Sequence, residues 1–153
     1  GAGRFARVMP NLPCSIGCGM TAVDATMLDA DAGHFVLELF HAVGEVIEVE
    51  ERLLDAVTAL SGSGPAYVYL FLKALISAGE AQGLPGAQAR TLAFQTMEGG
   101  LAMARSSGKS LDDLIAAVSS KGGTTVAALD SFRSDGFEES DMRAVHAAVE
   151  RAR

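Results

Sequence analysis

Apolar residues recur three and four positions apart along most of this chain. Such spacing places them on one face of an α-helix. Seven segments show the pattern, and they begin at about Val36, Leu53, Ser63, Leu84, Leu111, Thr125 and Met142. One stretch, residues 45–49, alternates instead and predicts a short strand. The pattern therefore predicts an all-α helical bundle with at most one short strand.

Glycines and one capping sequence mark where these helices end and begin. Gly83, Gly108 and Gly136 each follow a helical stripe, and glycine commonly ends a helix. Ser110 stands three residues before Asp113, the arrangement of a capping box, which predicts a helix start at this point.

The segment 65–76 is apolar on nearly every helical face. A helix of that kind must be covered on all sides, and in a chain of 153 residues we predict that a second subunit covers it. The alternative is a central helix wrapped by the chain's own neighbouring helices. No membrane span is predicted, because the apolar stretch 65–78 is too short and contains Lys73.

Composition narrows the classes of partner and site. The chain has 19 acidic and 12 basic residues, a net charge of −7, and no cluster of Lys and Arg, which argues against nucleic acid as a partner. Cys14 and Cys18 have no further cysteine and no nearby histidine to complete a metal site, so no metal is predicted. Two reduced thiols suit a cytoplasmic protein, which is the predicted location.

Residues 17–22 read Gly-Cys-Gly-Met-Thr-Ala and fit the G-x-G-x-x-A fingerprint of dinucleotide-binding folds. The fingerprint binds a pyrophosphate where a buried strand precedes it and a helix follows it. Here the preceding residues include Pro10 and Pro13, and proline is disfavoured in a central strand. We therefore predict that this segment binds no dinucleotide.

Residues 119–125, Ser-Ser-Lys-Gly-Gly-Thr-Thr, separate two predicted helices. The glycines expose backbone N–H groups, and a helix start behind a glycine-rich turn attracts anions. The alternative is an ordinary turn in which a threonine caps the next helix. Local chemistry leaves these two interpretations equally open.

This segment, followed by Ala128 and Leu129, resembles the signature of pyrroline-5-carboxylate reductases. Three other segments resemble that family in the right order. They are Arg-Val-Met-Pro-Asn-Leu-Pro at 7–13, Gly-Glu-Val-Ile-Glu-Val-Glu-Glu at 44–51 and Leu-Ser-Gly-Ser-Gly-Pro-Ala-Tyr at 60–67. The resemblance covers nearly the whole chain from Arg7 onward.

That family reduces 1-pyrroline-5-carboxylate to L-proline with NADPH or NADH, a step of proline biosynthesis. The resemblance implies an N-terminal Rossmann domain for the cofactor and a C-terminal helical domain that interlocks with a second subunit. It makes residues 1–20 a remnant of the interdomain linker and residues 21–153 the helical dimerisation and substrate-binding domain. The expected assembly is a homodimer or a larger oligomer of dimers. No cofactor and no activity are expected on this chain alone.

The resemblance also implies which residues bind the substrate. The backbone amides of Gly122, Gly123, Thr124 and Thr125 would hold its carboxylate, with Ser120 at the flank. The catalytic residue would be Thr125, whose hydroxyl reaches the ring nitrogen. In the family this loop generally comes from the partner subunit, so that dimerisation builds the site.

Four positions depart from the family pattern. Leu12 stands where the family often has Thr, Lys121 where many relatives have Pro, and Ser110-Leu111 where His-Pro is common. A second interpretation is a non-catalytic helical oligomerisation or small-ligand-binding module without a cofactor domain. The coding sequence upstream of Gly1 would separate the two, because a strand followed by G-x-G-x-x-G there would favour the enzyme.

Overall fold

Most of the residues that the computed structural model describes, 4–153, are helical. The strands are β1 (Arg7–Pro10), β2 (Gly19–Asp24) and β3 (Gly44–Glu48). The α-helices are α1 (Ala30–His41), α2 (Leu54–Val57), α3 (Gly64–Ala81), α4 (Gly86–Ser106), α5 (Leu111–Ala117), α6 (Thr124–Ser134) and α7 (Phe137–Ala152). Short 3-10 helices cover Leu12–Ile16 and Glu51–Leu53, and a π-helical turn covers Thr58–Gly62. The predicted helical fold is confirmed, and the expected limit of one short strand is corrected to three.

The three strands form one mixed sheet in the order β1-β2-β3. β1 runs antiparallel to β2, whereas β2 runs parallel to β3, which contains most of the predicted strand 45–49. The crossover between β2 and β3 is α1, so these elements make a βαβ unit. The central strand forms the core of the sheet, since Thr21, Ala22 and Val23 are 1%, 0% and 0% exposed.

The sequence of β2, Gly-Met-Thr-Ala-Val-Asp, shows neither alternation nor a run of large β-branched side chains. These are the signals by which a strand is recognised. The pairing of β2 with β3 also restricts which residue can stand at position 44. A Cβ on Gly44 would overlap the backbone of Gly19, and Gly44 has a φ of +152°. Glycine at position 44 is therefore a condition of this strand pairing.

The last residue of β2, Asp24, is an almost buried carboxylate with 6% exposure. Its Oδ1 accepts the backbone N–H of Thr26 at 2.9 Å. This bond, joined by one from the Thr26 side chain, lowers the pKa of Asp24, while burial acts in the opposite direction. The positive charge of Arg7 lowers the pKa further.

Asp24 should make folding sensitive to acid. Because its folded pKa lies below the ordinary value of 3.8, the stability it contributes is complete above that pH and is lost as the pH falls through the folded pKa. Asp24→Asn cannot be protonated, so it should flatten the fall in melting temperature below about pH 4. Thermal melts across this range, with the exposed Asp141→Asn as control, would measure the difference. Equal slopes for the parent and Asp24→Asn would contradict it.

The chain divides into two units. One comprises the described residues up to Val68 together with Met142–Arg153, and the other comprises Tyr69–Asp141. In the second unit the ring of Phe137 packs against Phe71 and Phe132, with centroids 6.2 and 5.4 Å away. The boundary proposed between residues 1–20 and 21–153 stays a prediction, and β1 lies within the segment predicted to be linker.

Three predicted helix ends and the predicted start of α5 are confirmed, whereas α7 begins at Phe137 and not near Met142. α3 ends at Ala81 before Gly83, α4 ends before Gly108, and α6 ends before Gly136. The Ser110 hydroxyl accepts the Asp113 backbone N–H at 3.1 Å and donates to the Asp113 carboxylate at 2.8 Å, so the predicted cap forms.

Apolar side chains of α3 remain uncovered within the described chain. No residue of this helix is buried, and Val68, Tyr69 and Leu70 are 49%, 54% and 68% exposed. Within each of the two units the helix is therefore not wrapped by neighbouring helices, contrary to the alternative of a central helix. Large exposed apolar side chains on one helix are typical of an interaction face.

Helical structure is continuous from Glu51 to Ala81, a length of 31 residues. The length argument against a membrane span is corrected here, because it considered only residues 65–78 and the helix extends upstream through α2 and the π-turn. By length and composition alone this helix could cross a membrane, and 6% of its most apolar stretch is buried. The core helix of a soluble protein passes the same test.

Candidate functional site

The connection between α5 and α6 contains the residues predicted to bind substrate. α5 ends at Ala117, and Ser119 satisfies two of its last carbonyl groups. The Ser119 N–H donates to the carbonyl of Ala116 at 3.1 Å, and its hydroxyl donates to that of Ile115 at 2.7 Å. These bonds fix the point at which the chain leaves α5.

A tight turn follows at residues 120–123. The Gly123 N–H donates to the carbonyl of Ser120 at 2.9 Å, which closes a four-residue turn. Gly122 occupies its third position with a φ of +72°, as a type II turn requires. Lys121 occupies the second position, where proline is common in such turns. The Lys that departs from the family pattern is therefore compatible with the turn, but it lacks the fixed φ of proline.

Gly123 brings the Ser120 hydroxyl to the start of α6. A Cβ on Gly123 would overlap that hydroxyl, so the close approach depends on glycine. Gly123 is the N-cap residue, with an extended backbone at φ −79° and ψ 167°. The turn thus brings Ser120, Gly122 and Gly123 against the first residues of the helix.

The N-terminus of α6 has no side-chain cap. The first N–H groups of a helix lack intrahelical partners, and they carry the positive end of the helix dipole. At α1, by contrast, the Asp29 carboxylate accepts the N–H of Ala32 at 2.9 Å. The alternative in which a threonine caps α6 is wrong, because Thr124 and Thr125 lie inside the first turn of the helix.

The side chains around this helix start differ in exposure. Thr125 is half-buried, whereas Ser120, Lys121 and Thr124 are exposed. Lys121 adds a positive charge to the positive end of the helix. The arrangement combines backbone donors, a cation and hydroxyl groups, which suits a small ligand that carries a carboxylate.

The turn lies outside the grooves that the structure describes. Three grooves are described within the two units, with volumes of about 410, 360 and 440 Å³, and none of them is lined by residues 119–125. The most uniformly apolar of them lies between α3 and α4, from Leu75 to Thr96. A ligand bound at the turn would therefore have to be enclosed by residues that do not line these grooves.

The glycine fingerprint at residues 17–22 lies in the wrong structural context for a dinucleotide. A 3-10 helix, Leu12–Ile16, precedes it, and the strand β2 begins at Gly19. The βαβ unit therefore starts inside the fingerprint instead of enclosing it. No helix N-terminus follows these glycines to hold a pyrophosphate, so the segment does not fit an NAD(P) cofactor.

The cysteine thiols and the possible metal ligands are the other candidate site residues. Cys14 and Cys18 are free thiols, and Cys18 is exposed. Among the described residues, no three His, Cys, Asp or Glu side chains are grouped so as to hold a metal ion.

Two side chains with a specific structural role were not singled out from the sequence. Asn11 and Tyr67 donate hydrogen bonds to backbone carbonyls of the π-turn, at Ser61 and Ala59 respectively. Only the role of Asn11 had a signal in the sequence, because Pro65 lacks the N–H that would bond to the carbonyl of Ser61 in an α-helix.

Comparisons with known proteins agree with the fold. A family model for pyrroline-5-carboxylate reductase dimerisation matches residues 51–153. The pyrroline-5-carboxylate reductase of Corynebacterium melassecola is 44% identical over 147 residues, which are 95% of this chain and 54% of the relative. That of Arabidopsis thaliana is 42% identical and covers 100% of this chain and 56% of its own length.

Solved structures give the same result. The crystal structure of Plasmodium falciparum pyrroline carboxylate reductase with NADP bound matches with a TM-score of 0.95 and 34% identity, covering 99% of this chain and 62% of that one. The Coxiella burnetii pyrroline-5-carboxylate reductase matches with a TM-score of 0.93 and 39% identity, covering 99% and 57%. The chain thus spans somewhat more than half the length of the proteins that it matches. The resemblance stated from the sequence is confirmed, and the chain belongs to the pyrroline-5-carboxylate reductase dimerisation family.

Proposed function

We propose that this chain is the C-terminal part of an NAD(P)H-dependent reductase that converts 1-pyrroline-5-carboxylate to L-proline. In this proposal the chain contributes the subunit interface and the turn that holds the substrate carboxylate. Family membership supports the reaction class, and the relatives' names supply the substrate. Because the chain spans 54% of its Corynebacterium relative, the activity is assigned to the longer protein.

The turn that opens α6 carries the proposal. It presents the uncapped N-terminus of an 11-residue helix behind Gly122 and Gly123, where positive potential and free N–H groups favour a carboxylate. Ser120 lies against Gly123 at the same point. A substrate whose carboxylate binds here would have its five-membered ring held near the side chains of the first helical turn.

Thr125 is proposed as the residue that acts at the ring nitrogen. Reduction of the C=N bond adds a hydride to the carbon and a proton to the nitrogen, and the carbon is more electrophilic when the nitrogen is protonated. A threonine hydroxyl is too weak an acid to supply that proton by itself. It can orient the ring and pass on a proton from water as a positioned hydrogen-bond partner.

The proposed assembly and cofactor follow from the family and from the structure around residues 17–22. The family implies a homo-oligomer, and we propose a homodimer or an assembly of dimers that acts in the cytoplasm. The nicotinamide cofactor would be NADP or NAD, held by the remainder of the longer protein, because the fingerprint at 17–22 does not fit it.

A chimaera tests the proposed function directly. The N-terminal part of the Corynebacterium relative, joined to this chain, should oxidise NADPH in the presence of 1-pyrroline-5-carboxylate and form L-proline. A folded chimaera that binds NADPH but forms no proline would contradict the proposal and favour a non-catalytic oligomerisation module.

The isolated 153-residue chain should neither bind NADPH detectably nor oxidise it with the substrate. The reaction needs the reactive carbon of the cofactor placed against the substrate, and the segment 17–22 lacks the strand and helix that would hold its pyrophosphate. Titration calorimetry on the chain, with the chimaera as positive control, would measure this. Micromolar affinity for NADPH would contradict the prediction that residues 17–22 bind no dinucleotide.

A further inference from the structure

The helix that leads into α3 contains one residue more than a regular α-helix would. At the π-turn Thr58–Gly62, the Ser63 N–H donates to the carbonyl of Thr58, five residues back, at 2.8 Å. In an α-helix this N–H would bond to Ala59, four residues back. The insertion therefore deprives the Ala59 carbonyl of its helical partner.

The hydroxyl of Tyr67 replaces that partner. It donates to the Ala59 carbonyl at 3.1 Å. Ala59 is 0% exposed, so water cannot readily take over the bond if the hydroxyl is removed. Tyr67 lies on the turn of α3 that follows the insertion, and its hydroxyl reaches back across it.

A second carbonyl loses its partner two residues later, for a different reason. Ser61 is four residues before Pro65, and proline has no N–H to donate. The side-chain amide of Asn11 lies 3.4 Å from both the carbonyl and the hydroxyl of Ser61. The other end of the same side chain accepts the Met20 backbone N–H at 2.9 Å. Asn11 thus connects the start of β2 to the π-turn.

We propose that Thr58–Gly62 is a conformational joint whose register is held by the Tyr67 hydroxyl and the Asn11 amide. When these bonds break, the Ser63 N–H can return to Ala59 and the extra residue leaves the turn. Because one residue corresponds to about 100° of helical rotation, α2 and the first residues of α3 would then rotate against each other about the helix axis. The two side chains therefore act as positioning residues for the start of α3.

A pair of matched substitutions tests the role of the hydroxyl. Tyr67→Phe removes only the donor to Ala59, and Tyr69→Phe makes the same change at an exposed tyrosine of the same helix. The Ser63 N–H is unbonded while it changes from Thr58 to Ala59, and without the Tyr67 hydroxyl this change should be more frequent. With the chain in its native assembly, residue-resolved hydrogen exchange of the Ser63 amide should therefore be about five- to tenfold faster in Tyr67→Phe. Tyr69→Phe should stay within about twofold of the parent. Equal exchange in the two variants would overturn the proposal.

A rescue experiment tests the Asn11 bond independently. Asn11→Asp keeps the acceptor for Met20 but loses the donor to Ser61, so exchange at the π-turn should again rise about fivefold. Adding Pro65→Ala supplies a backbone N–H four residues after Ser61 and should restore most of the protection in the double variant. If Pro65→Ala leaves the exchange of Asn11→Asp unchanged, the orphaned carbonyl is not what Asn11 satisfies, and the proposed joint is wrong.

Discussion

Replacing Thr125 by alanine should lower kcat/KM by roughly ten- to a thousandfold, the range for losing one positioned hydrogen-bond partner in a reaction. The measurement uses this chain joined to a cofactor-binding domain, with 1-pyrroline-5-carboxylate as substrate. The expected loss lies in the reaction rather than in folding, because the hydroxyl would meet the ring nitrogen only when the substrate is bound.

The structure distinguishes a role of Thr125 in the reaction from a role as a helix cap. The N-cap of α6 is Gly123, so Thr125→Ala removes no cap and should leave the melting temperature nearly unchanged. Thr125→Ser keeps a hydroxyl at the same place and should retain much more activity. Thr91→Ala, which removes the hydroxyl of an exposed threonine in α4, serves as the matched control and should keep parental kinetics.

Two outcomes would contradict the proposal that the Thr125 hydroxyl acts at the ring nitrogen. A lower melting temperature with unchanged kcat/KM would leave Thr125 a structural residue of the helix. Equal losses in Thr125→Ala and Thr125→Ser would show that the position is sensitive to shape and not to the hydrogen bond. The proposed carboxylate turn would survive either result, since it depends on backbone amides.

The isolated chain should be an obligate homodimer. Several large apolar residues of α3 are exposed, among them Leu70 at 68%, and obligate interfaces commonly bury on the order of 2,000 Å² or more. Sedimentation at micromolar concentration should give a single dimeric species. A well-folded monomer at that concentration would contradict the prediction.

A charged residue placed in this surface should weaken the dimer far more than the same change elsewhere. Leu70→Asp would bury an unpaired carboxylate at the interface, and a cost of about 3–5 kcal/mol corresponds to a rise of roughly a hundred- to five-thousandfold in the dissociation constant. Ile16 is the control, because it is an apolar residue, 76% exposed, at the end of a 3-10 helix and not in α3. Ile16→Asp should leave the dimer intact.

The same experiment addresses the continuous helix from Glu51 to Ala81, which is long and apolar enough to span a membrane. If a second subunit covers it, the chain should be recovered without detergent as a dimer. Recovery only from the membrane fraction would show that lipid covers α3 and would overturn the predicted dimer.

Local sequence signals were sufficient to predict most helix ends and the glycine turn of the candidate site. Gly83, Gly108 and Gly136 follow helices because glycine accepts the positive φ that ends them, and Ser110 caps α5 through its own hydroxyl. These effects act over three or four residues. The Gly122-Gly123 turn was predictable for the same reason, since its conformation depends on which residues accept a positive φ.

Tertiary structure decided the rest. β2 became a strand because Thr21, Ala22 and Val23 pair with β1 and β3 and are buried between them, and its own sequence carries little strand signal. Strand pairing joins residues far apart in the sequence, so local patterns record it weakly. The π-turn likewise depends on Asn11, which is 50 residues from Ser61. Helix ends and turns were therefore determined by the sequence alone, whereas the sheet and the register of the helix entering α3 were determined by contacts that exist only in the folded chain.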